Sequence, residues 1–233
     1  MLTPDGNLVG MAHSNNCTSD FNAWMALFGE VAHALGARVS ESDLFETLMP
    51  LALKGDPDAG GLLSYGYISG EHLTGFSEGR PLFARLPGAS FTLANFVRAH
   101  LFSALGALRT GLDVLTGEEG VQVEELVGHG GFFKTAKVGQ RIMAAATATP
   151  VSVPATAGEG GSWGMALLAA FAVRESRETR LPEFLDAVIG DSIGAPVEPR
   201  AEDVEGFNRF FSLYTDGLPI EAAAIDTMKE DAS

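Results

Sequence analysis

The sequence predicts an α/β fold, and three observations support this class. The 233 residues are 46% hydrophobic and 19% charged, which is enough apolar material for a real core. The 28 glycines cluster at 55–61, 128–131 and 158–164, between apolar strands and amphipathic helices. The order strand, glycine turn, helix occurs twice in succession, and such turns lie at the carboxyl end of a parallel sheet, where α/β proteins bind ligands.

Composition excludes several classes of partner. The net charge is −15, with 30 acidic against 15 basic residues, which argues against nucleic acid or an anionic membrane. It does not exclude a nucleotide, which local amides and magnesium can hold. Cys17 is the only cysteine, so an internal disulfide and a cysteine metal cluster are excluded and a reducing cytoplasm is expected. The start resembles no signal peptide, and the longest apolar run, 165–173, is too short to cross a bilayer.

The first predicted elements are a strand and a long helix. Residues 7–13 predict the strand, and a polar segment follows it. Thr18 or Ser19 can cap the helix, which Gly36 ends. Its apolar residues fall on one face by helical spacing: Phe21, Trp24, Met25, Phe28, Val31 and Leu35.

The next region predicts a second helix and an extended segment. Ser40 or Ser42 can cap the helix, which runs to residue 53. Residues 62–68 read as a strand or extended segment, and 70–90 as loop.

The longest predicted helix covers residues 94–115. Its apolar residues recur three or four apart and form one buried stripe: Val97, Leu101, Leu105, Leu108, Leu112 and Leu115. His100 adjoins this stripe, which favours a structural role for it. The remaining elements are strands at 121–127 and 151–153 and helices at 140–146, 163–173, 182–189 and 201–213.

The first glycine turn, residues 128–135, is the strongest candidate for a ligand site. It follows a strand and opens a helix, and glycine lets backbone amides approach a phosphate closely while the helix dipole favours an anion. Lys134 can add a positive charge. The alternative is a tight strand-to-helix turn that binds nothing. The segment nearly matches a P-loop, but Phe133 replaces its second glycine, so that assignment is rejected.

The second glycine turn, residues 158–164, admits two readings. Glycines at a helix start can present a flat surface to a planar base, or can serve close helix–sheet packing. Residues 160–164 also satisfy the hydrolase pattern GxSxG. That chemistry requires a histidine after the serine, and all five histidines precede Ser162.

Glu71 beside His72 suggests acid–base chemistry, but a buried glutamate that bonds loop amides is the commoner case. No pair of histidines has zinc-ligand spacing, so no metal-binding side chains are predicted.

Together these segments resemble the FGGY carbohydrate kinases. "SYGYISGEH" is similar to the family's block that ends Gly-Glu-Arg, with His72 in place of arginine. The other blocks that match in order are "VGMAHSNNCTSDFNAW", "TLANFVRAHLFSALGAL", "VGHGGFFKTAKVGQRIMAAA" and "PVSVPATAGEGGSWGMALLAA". The last two resemble the family's nucleotide-contacting glycine block and the glycine-rich helix of its adenosine pocket.

The resemblance covers almost the whole chain and implies an actin-like ATPase (ribonuclease H-like) fold, with a mixed sheet flanked by helices. It implies phosphorylation of a sugar hydroxyl, of a pentulose by the closer likeness to xylulokinases, with ATP and Mg²⁺ as cofactors. The residues that it implies for the nucleotide are Gly128, Gly130, Gly131, Lys134 and Thr135, with Gly161 and Gly164 lining the adenosine pocket.

The resemblance also implies what residues 1–233 lack. They read as the carboxy-terminal domain only, because the family's catalytic aspartate and amino-terminal phosphate loop lie upstream of the matching blocks. The catalytic base is therefore unknown, and the chain alone is expected to bind ATP weakly without turning over sugar. Phe132 and Phe133 stand where the family has one small residue, which leaves the role of Lys134 open. The expected partners are a sugar and a separate amino-terminal half. The alternative is a non-catalytic nucleotide-binding or dimerisation module, or a scaffold without a nucleotide site.

Overall fold

The computed structural model describes residues 1–11, 13–135, 137–174 and 178–229. Their helices are α1 (Ser19–Ala34), α2 (Glu41–Leu48), α3 (Leu93–Ser103), α4 (Gly106–Asp113), α5 (Val138–Thr147), α6 (Gly160–Val173), α7 (Leu181–Ile189), α8 (Ala201–Asp216) and α9 (Leu218–Thr227). Their strands are β1 (Leu62–Tyr65), β2 (Leu82–Arg85), β3 (Leu126–Val127) and β4 (Val151–Ser152). Helices predominate, and the strands form small sheets.

Helix α3 lies at the centre of the core. Thr92 caps it by accepting a hydrogen bond from the Asn95 amide at 3.2 Å. Every residue from 95 to 102 is buried, including the polar ones. Helix α1 packs its Phe21 and Met25 into the same core, as predicted, whereas Val31 and Leu35 of the predicted face are exposed. The apolar face of α1 therefore ends two turns earlier than its spacing indicates.

The predicted helix 94–115 is interrupted. Helix α3 ends at Ser103, α4 begins at Gly106, and the last residues, Val114–Glu118, form a π-helical turn. A side chain at Gly106 would lie 3.1 Å from the Tyr214 ring, so the glycine permits this close contact with α8. The apolar spacing continues across the break, which is why sequence alone did not reveal it.

The sheets differ from the predicted mixed sheet. β1 pairs with β2 in antiparallel register, with Leu62 opposite Arg85, although 70–90 was predicted to be loop. β3 and β4 are parallel, and the other side of β4 pairs at Val151 with Val197. The predicted strand at 121–127 is thus reduced to its last two residues, and β3 is an edge strand in the described part of the chain.

No strand forms over the described residues of 7–13; residue 12 lies outside them. Only an isolated bridge joins Leu2 to Leu8, and the Leu8 side chain is 91% exposed. A strand requires a hydrogen-bonding neighbour, and no described strand lies against this segment. The apolar pattern of 7–13 therefore has no sheet to join in this chain.

The carboxy-terminal helices complete the core. Phe207, Phe210 and Tyr214 of α8 are buried, and the Tyr214 ring stacks on Tyr65 with 4.9 Å between centroids. The Tyr65 hydroxyl donates to the Tyr214 carbonyl at 3.0 Å. The predicted helices near 182–189 and 201–213 are confirmed, whereas α9 was not predicted.

Helix α6 is apolar but mostly exposed. Met165 is 67% exposed, Trp163 and Val173 are also exposed, and Leu167 is the buried exception. No described helix combines the length and apolar character that crossing a membrane requires. The apolar face of α6 is therefore uncovered in the described chain.

Candidate functional site

The two glycine turns lie side by side because the strands that lead into them are parallel neighbours. The Gly128 amide donates to the Ser152 carbonyl at 2.8 Å, and the Gly130 amide donates to Ala157 at 2.7 Å. A side chain at Gly158 would lie 3.6 Å from the Cε atom of Lys134. The sequence indicated that amides of this turn could approach a phosphate, but those of Gly128 and Gly130 are already bonded, to β4 and to the residue before the second turn.

Two phenylalanines support the first turn from below. The Phe133 ring packs against Gly128, where a side chain would meet the ring at 2.5 Å. Phe132 and Phe133 both lie against Gly139, at the start of α5. Gly130 has φ of +98°, a conformation that glycine adopts without strain. The extra aromatic residue is therefore packed beneath the turn, and Lys134 stays exposed on its outer side.

The first turn forms one wall of a cavity that has a volume of about 710 Å³. The other walls are the amino end of α1, the helix α2 and Met49. The polar or glycine residues that line it are Cys17, Thr18, Asn22, Glu41, Ser42, Glu46, His129, Gly130, Gly131, Lys134 and Thr135. A volume of this order suits a nucleotide-sized ligand.

The cavity walls carry opposite charges. Lys134 lies on the glycine turn, whereas Glu41 and Glu46 lie on α2. The Ser42 hydroxyl donates to Glu46 at 3.2 Å, and the Thr135 hydroxyl contacts the Met49 sulfur at 3.5 Å. An anionic group is therefore favoured at the glycine turn and a hydrogen-bond donor at α2.

The predicted site residues divide into two sets. Gly130, Gly131, Lys134 and Thr135 line the cavity. Gly128 lies beneath it against Phe133 and lines a smaller apolar groove beside β3.

Gly161 and Gly164 lie in α6 and are not among the residues that line the cavity. A β-carbon at either would meet no described atom within 4 Å beyond its chain neighbours and the nearby backbone of α6.

The sequence interpretation missed the contribution of α1 and α2. Cys17, Thr18 and Asn22 come from the amino end of α1, and Glu41 and Glu46 come from α2. The available signal was the helix cap predicted at Thr18, since a helix amino-terminus is itself an anion-binding feature.

The Cys17 side chain is exposed at the cavity wall, but desolvation by the surrounding residues raises the pKa of its thiol, which keeps it protonated at neutral pH.

Glu71 is buried, with its side chain 1% exposed, and its Oε2 atom accepts a hydrogen bond from the Asn15 amide at 2.9 Å. His72 is exposed. The bonding of a loop amide, rather than acid–base catalysis, is thus the role that the geometry supports for Glu71.

A buried Ser64–His100–Asp20 cluster lies behind the cavity in the aromatic core. Both the Ser64 hydroxyl, at 3.1 Å, and the Asp20 carboxylate, at 3.5 Å, approach the same ring nitrogen, Nδ1. A catalytic triad needs the serine and the acid on opposite nitrogens, so this cluster is structural. Burial lowers the pKa of His100 to about 3 and raises the pKa of Asp20. The His100 imidazole is therefore neutral at pH 7 in the core.

No group of three or more His, Cys, Asp or Glu side chains is arranged to hold a metal ion within the described residues.

Comparison with known proteins assigns this architecture. The C-terminal domain of the FGGY family of carbohydrate kinases matches residues 1–173. The xylulose kinase from Rhodospirillum rubrum has a similar fold, with a TM-score of 0.57 and 23% identity over 85% of this chain and 38% of that one. The ligand-bound xylulose kinase from Lactobacillus acidophilus has a TM-score of 0.65 and 16% identity, over 89% of this chain and 39% of that one.

The glycerol kinase from Plasmodium falciparum, solved with ADP, gives a TM-score of 0.59 and 19% identity over 75% of this chain and 33% of that one. No curated protein sequence matches the chain. The chain thus spans about two fifths of the xylulose kinases that it resembles. The match over residues 1–173 shows that the chain belongs to the FGGY family of carbohydrate kinases and carries its C-terminal domain.

Proposed function

We propose that this chain is the nucleotide-binding half of a sugar kinase that uses ATP and Mg²⁺. The observation that carries the proposal is the cavity of about 710 Å³ between the first glycine turn and the amino end of α1. Helix α1 has 16 residues, so its amino end adds a favourable dipole for phosphate oxygens. Lys134 supplies a positive charge on the same wall in a protein of net charge −15.

The nucleotide fits the residues of the cavity in one orientation. Its phosphates would face Gly131, Lys134 and Thr135, because α2 repels anions through Glu41 and Glu46. Those carboxylates suit the donors of ribose or of an adenine amino group. When bound, ATP supplies the transferable phosphoryl group, and the protein residues hold and orient it.

Mg²⁺ does not fit a side-chain cage in the described chain, which has no suitable cluster of ligands. Magnesium often keeps several waters and binds through substrate phosphates with one or two carboxylates. We therefore assign the ion to the nucleotide complex and derive no catalytic step through it.

Sugar turnover requires a base and phosphate contacts beyond those of this cavity. We therefore expect the isolated chain to bind ATP weakly and to leave the sugar unphosphorylated. The chain spans about two fifths of the similar xylulose kinases, which supports this expectation. A pentulose is the proposed substrate, since xylulose kinases occur among the similar structures; gluconate and glycerol kinases occur there too.

The proposed partner is a separate amino-terminal kinase half. The free edge of β3 runs beside an apolar groove lined in part by Leu108, Leu112 and Met143. Exposed α6 adds Met165 to the uncovered apolar surface. Such surfaces are typical of protein interfaces. The alternative is a homodimer or a non-catalytic nucleotide-binding module, which the same surfaces would serve. Lone, exposed Cys17 fits a reducing cytoplasm as the proposed location.

Isothermal titration of Mg-ATP into the purified chain, with amide exchange across residues 128–135, tests nucleotide binding. We expect weak binding, with slower exchange at the first turn than at 158–164. A coupled kinase assay with pentuloses should show no turnover until an amino-terminal half is added. Absence of any ATP binding would refute the proposed function, and rapid turnover by the chain alone would refute the need for a partner.

A further inference from the structure

We propose that Asn16 and Glu71 form a clamp that fixes the α1 wall of the cavity and thereby sets the affinity for nucleotide. The identity of the ligand as a nucleotide rests on the proposed function, whereas the clamp itself is a geometric feature of the chain. The two residues come from segments more than fifty positions apart, 14–17 and 68–71. Neither lines the cavity, so both are positioning residues.

Asn16 makes four hydrogen bonds with one loop. Its Oδ1 atom accepts from the Ile68 amide at 2.9 Å and from the amide and hydroxyl of Ser69 at 3.0 and 3.1 Å. Its Nδ2 atom donates to the Gly70 carbonyl at 2.6 Å. The Asn16 side chain is buried, so water cannot take the place of these partners. Without the four hydrogen bonds, its polar atoms would have no partner.

Glu71, the next residue of the same loop, binds the residues just before Asn16. Its Oε2 atom accepts from the Asn15 amide at 2.9 Å and from the Ser14 hydroxyl at 3.3 Å. The Glu71 side chain is buried, so these hydrogen bonds are shielded from water. Segment 14–16 is therefore held by both donors and acceptors of the single loop 68–71.

The clamp leads directly into the cavity wall. Cys17 follows Asn16 with φ of +38°, in the left-handed region that a non-glycine residue adopts only when its surroundings hold it there. Cys17 and Thr18 both line the cavity, and the Ser19 amide donates to the Asn16 carbonyl at 2.8 Å as α1 begins. Cys17 also lines a small polar pocket that reaches Glu71, so it lies between the clamp and the cavity.

A matched control separates this role from general stabilisation. Asn95 is also a buried asparagine: it accepts from the Asp56 amide at 2.7 Å and donates to Asp56 and Ser90 at 2.8 Å. It is not among the residues that line the cavity. Asn16→Ala and Asn95→Ala should both lower the melting temperature, since each leaves buried groups without partners.

The first measurement is the Kd for Mg-ATP by isothermal titration. We expect Asn16→Ala to weaken binding about tenfold or more and Asn95→Ala to change it less than about twofold. Glu71→Gln keeps an oxygen acceptor and should retain affinity within about threefold, whereas Glu71→Ala should lose about as much as Asn16→Ala. This second pair also serves if Asn16→Ala does not fold. Equal effects of Asn16→Ala and Asn95→Ala on Kd, or no effect of Glu71→Ala, would overturn the proposal.

The second measurement needs no nucleotide. Cys17 is the only cysteine, so its alkylation by N-ethylmaleimide, followed by intact mass, reports the cavity wall. The raised pKa of Cys17 slows its alkylation in the native chain. A loosened wall should lower that pKa, so we expect severalfold faster alkylation in Asn16→Ala and an unchanged rate in Asn95→Ala. If the native chain binds no ATP, the proposed function fails, and the alkylation rates still decide whether the clamp holds the wall. Equal rates in all three proteins would overturn the clamp.

Discussion

The two glycine turns share a local pattern but have different surroundings. The first turn is backed by Phe132 and Phe133, crowds against Gly139 and borders the large cavity. At the start of α6, by contrast, a β-carbon at Gly161 would meet no described atom within 4 Å beyond its chain neighbours and the nearby backbone of α6. The same residue type is therefore required by packing at one turn and tolerated at the other. Glycine clusters alone do not identify which turn carries a site.

The first prediction, with the largest expected effect, adds one methyl group at a glycine of each turn region. Gly139→Ala should destabilise the protein by about 3 kcal/mol, because its β-carbon would overlap the Phe132 carbonyl oxygen. Gly161→Ala should be neutral or stabilising by up to about 1 kcal/mol, because alanine favours the helix. Urea denaturation followed by circular dichroism measures both. Similar losses in the two variants would remove the contrast between the turns.

The second prediction concerns the aromatic core behind the first turn. His100 has a pKa of about 3 in the folded protein, below its ordinary value of 6.5. Between pH 6.5 and pH 3, His100 therefore binds a proton in the unfolded chain but not in the folded one. The free energy of unfolding is highest above pH 6.5 and falls as the pH decreases towards 3. The raised pKa of Asp20 acts in the opposite direction, because the folded carboxyl takes up a proton at a pH above the ordinary pKa of 3.8.

The urea midpoint should therefore decrease between pH 7 and pH 5. His100→Gln should flatten this dependence even though it lowers stability at pH 7, because glutamine does not titrate. His72→Gln is the matched control, since His72 is exposed. An unchanged slope in His100→Gln would show that other groups determine the acid sensitivity.

The third prediction addresses the outer side of the first turn. Lys134→Met should weaken Mg-ATP binding about fivefold, because it removes one partly solvated charge from the cavity wall. Lys54 is not among the residues that line the cavity, so Lys54→Met should leave the Kd within about twofold of the native value. Titration at two salt concentrations checks the electrostatic origin, since the difference should shrink at high salt. A Kd that Lys134→Met does not change would exclude contact with the nucleotide.

The smallest expected effect lies in α6. Met165→Gln should change the free energy of unfolding by less than about 0.5 kcal/mol, because Met165 is exposed and packs little. It should nevertheless reduce self-association of the lone chain, since it makes the uncovered face more polar. Light scattering over a concentration series measures this. Native protein that stays monomeric at high concentration would contradict the interface assigned to α6.

Local sequence signals predicted the helices well. The Ser40 cap begins α2 where expected, and its side chain forms a capping box with Asp43. The glycine turns and the helices after them, α5 and α6, also occur in the predicted order. These features depend on neighbouring residues, so the chain carries their information within a few positions.

Strands were predicted less well, because a strand is defined by a partner elsewhere. Residues 7–11 and 121–125 have apolar character, but neither segment pairs with a strand in the described chain, and only the isolated Leu2–Leu8 bridge involves the first. β2 was missed because its pairing with β1, rather than its own pattern, makes it a strand. At the break between α3 and α4, Gly106 lies against the Tyr214 ring, which comes from a helix more than a hundred residues later.

By itself, the sequence determined the order of turns and helices, the family and the residues of the first glycine turn, since these are local or linear properties. Only the tertiary structure decided which glycines border a cavity and that α1 and α2 form its other walls. It also decided that Asn16 and Glu71 hold this wall in place. The physical reason is that a cavity is formed by segments distant in sequence, and no segment encodes the position of the others.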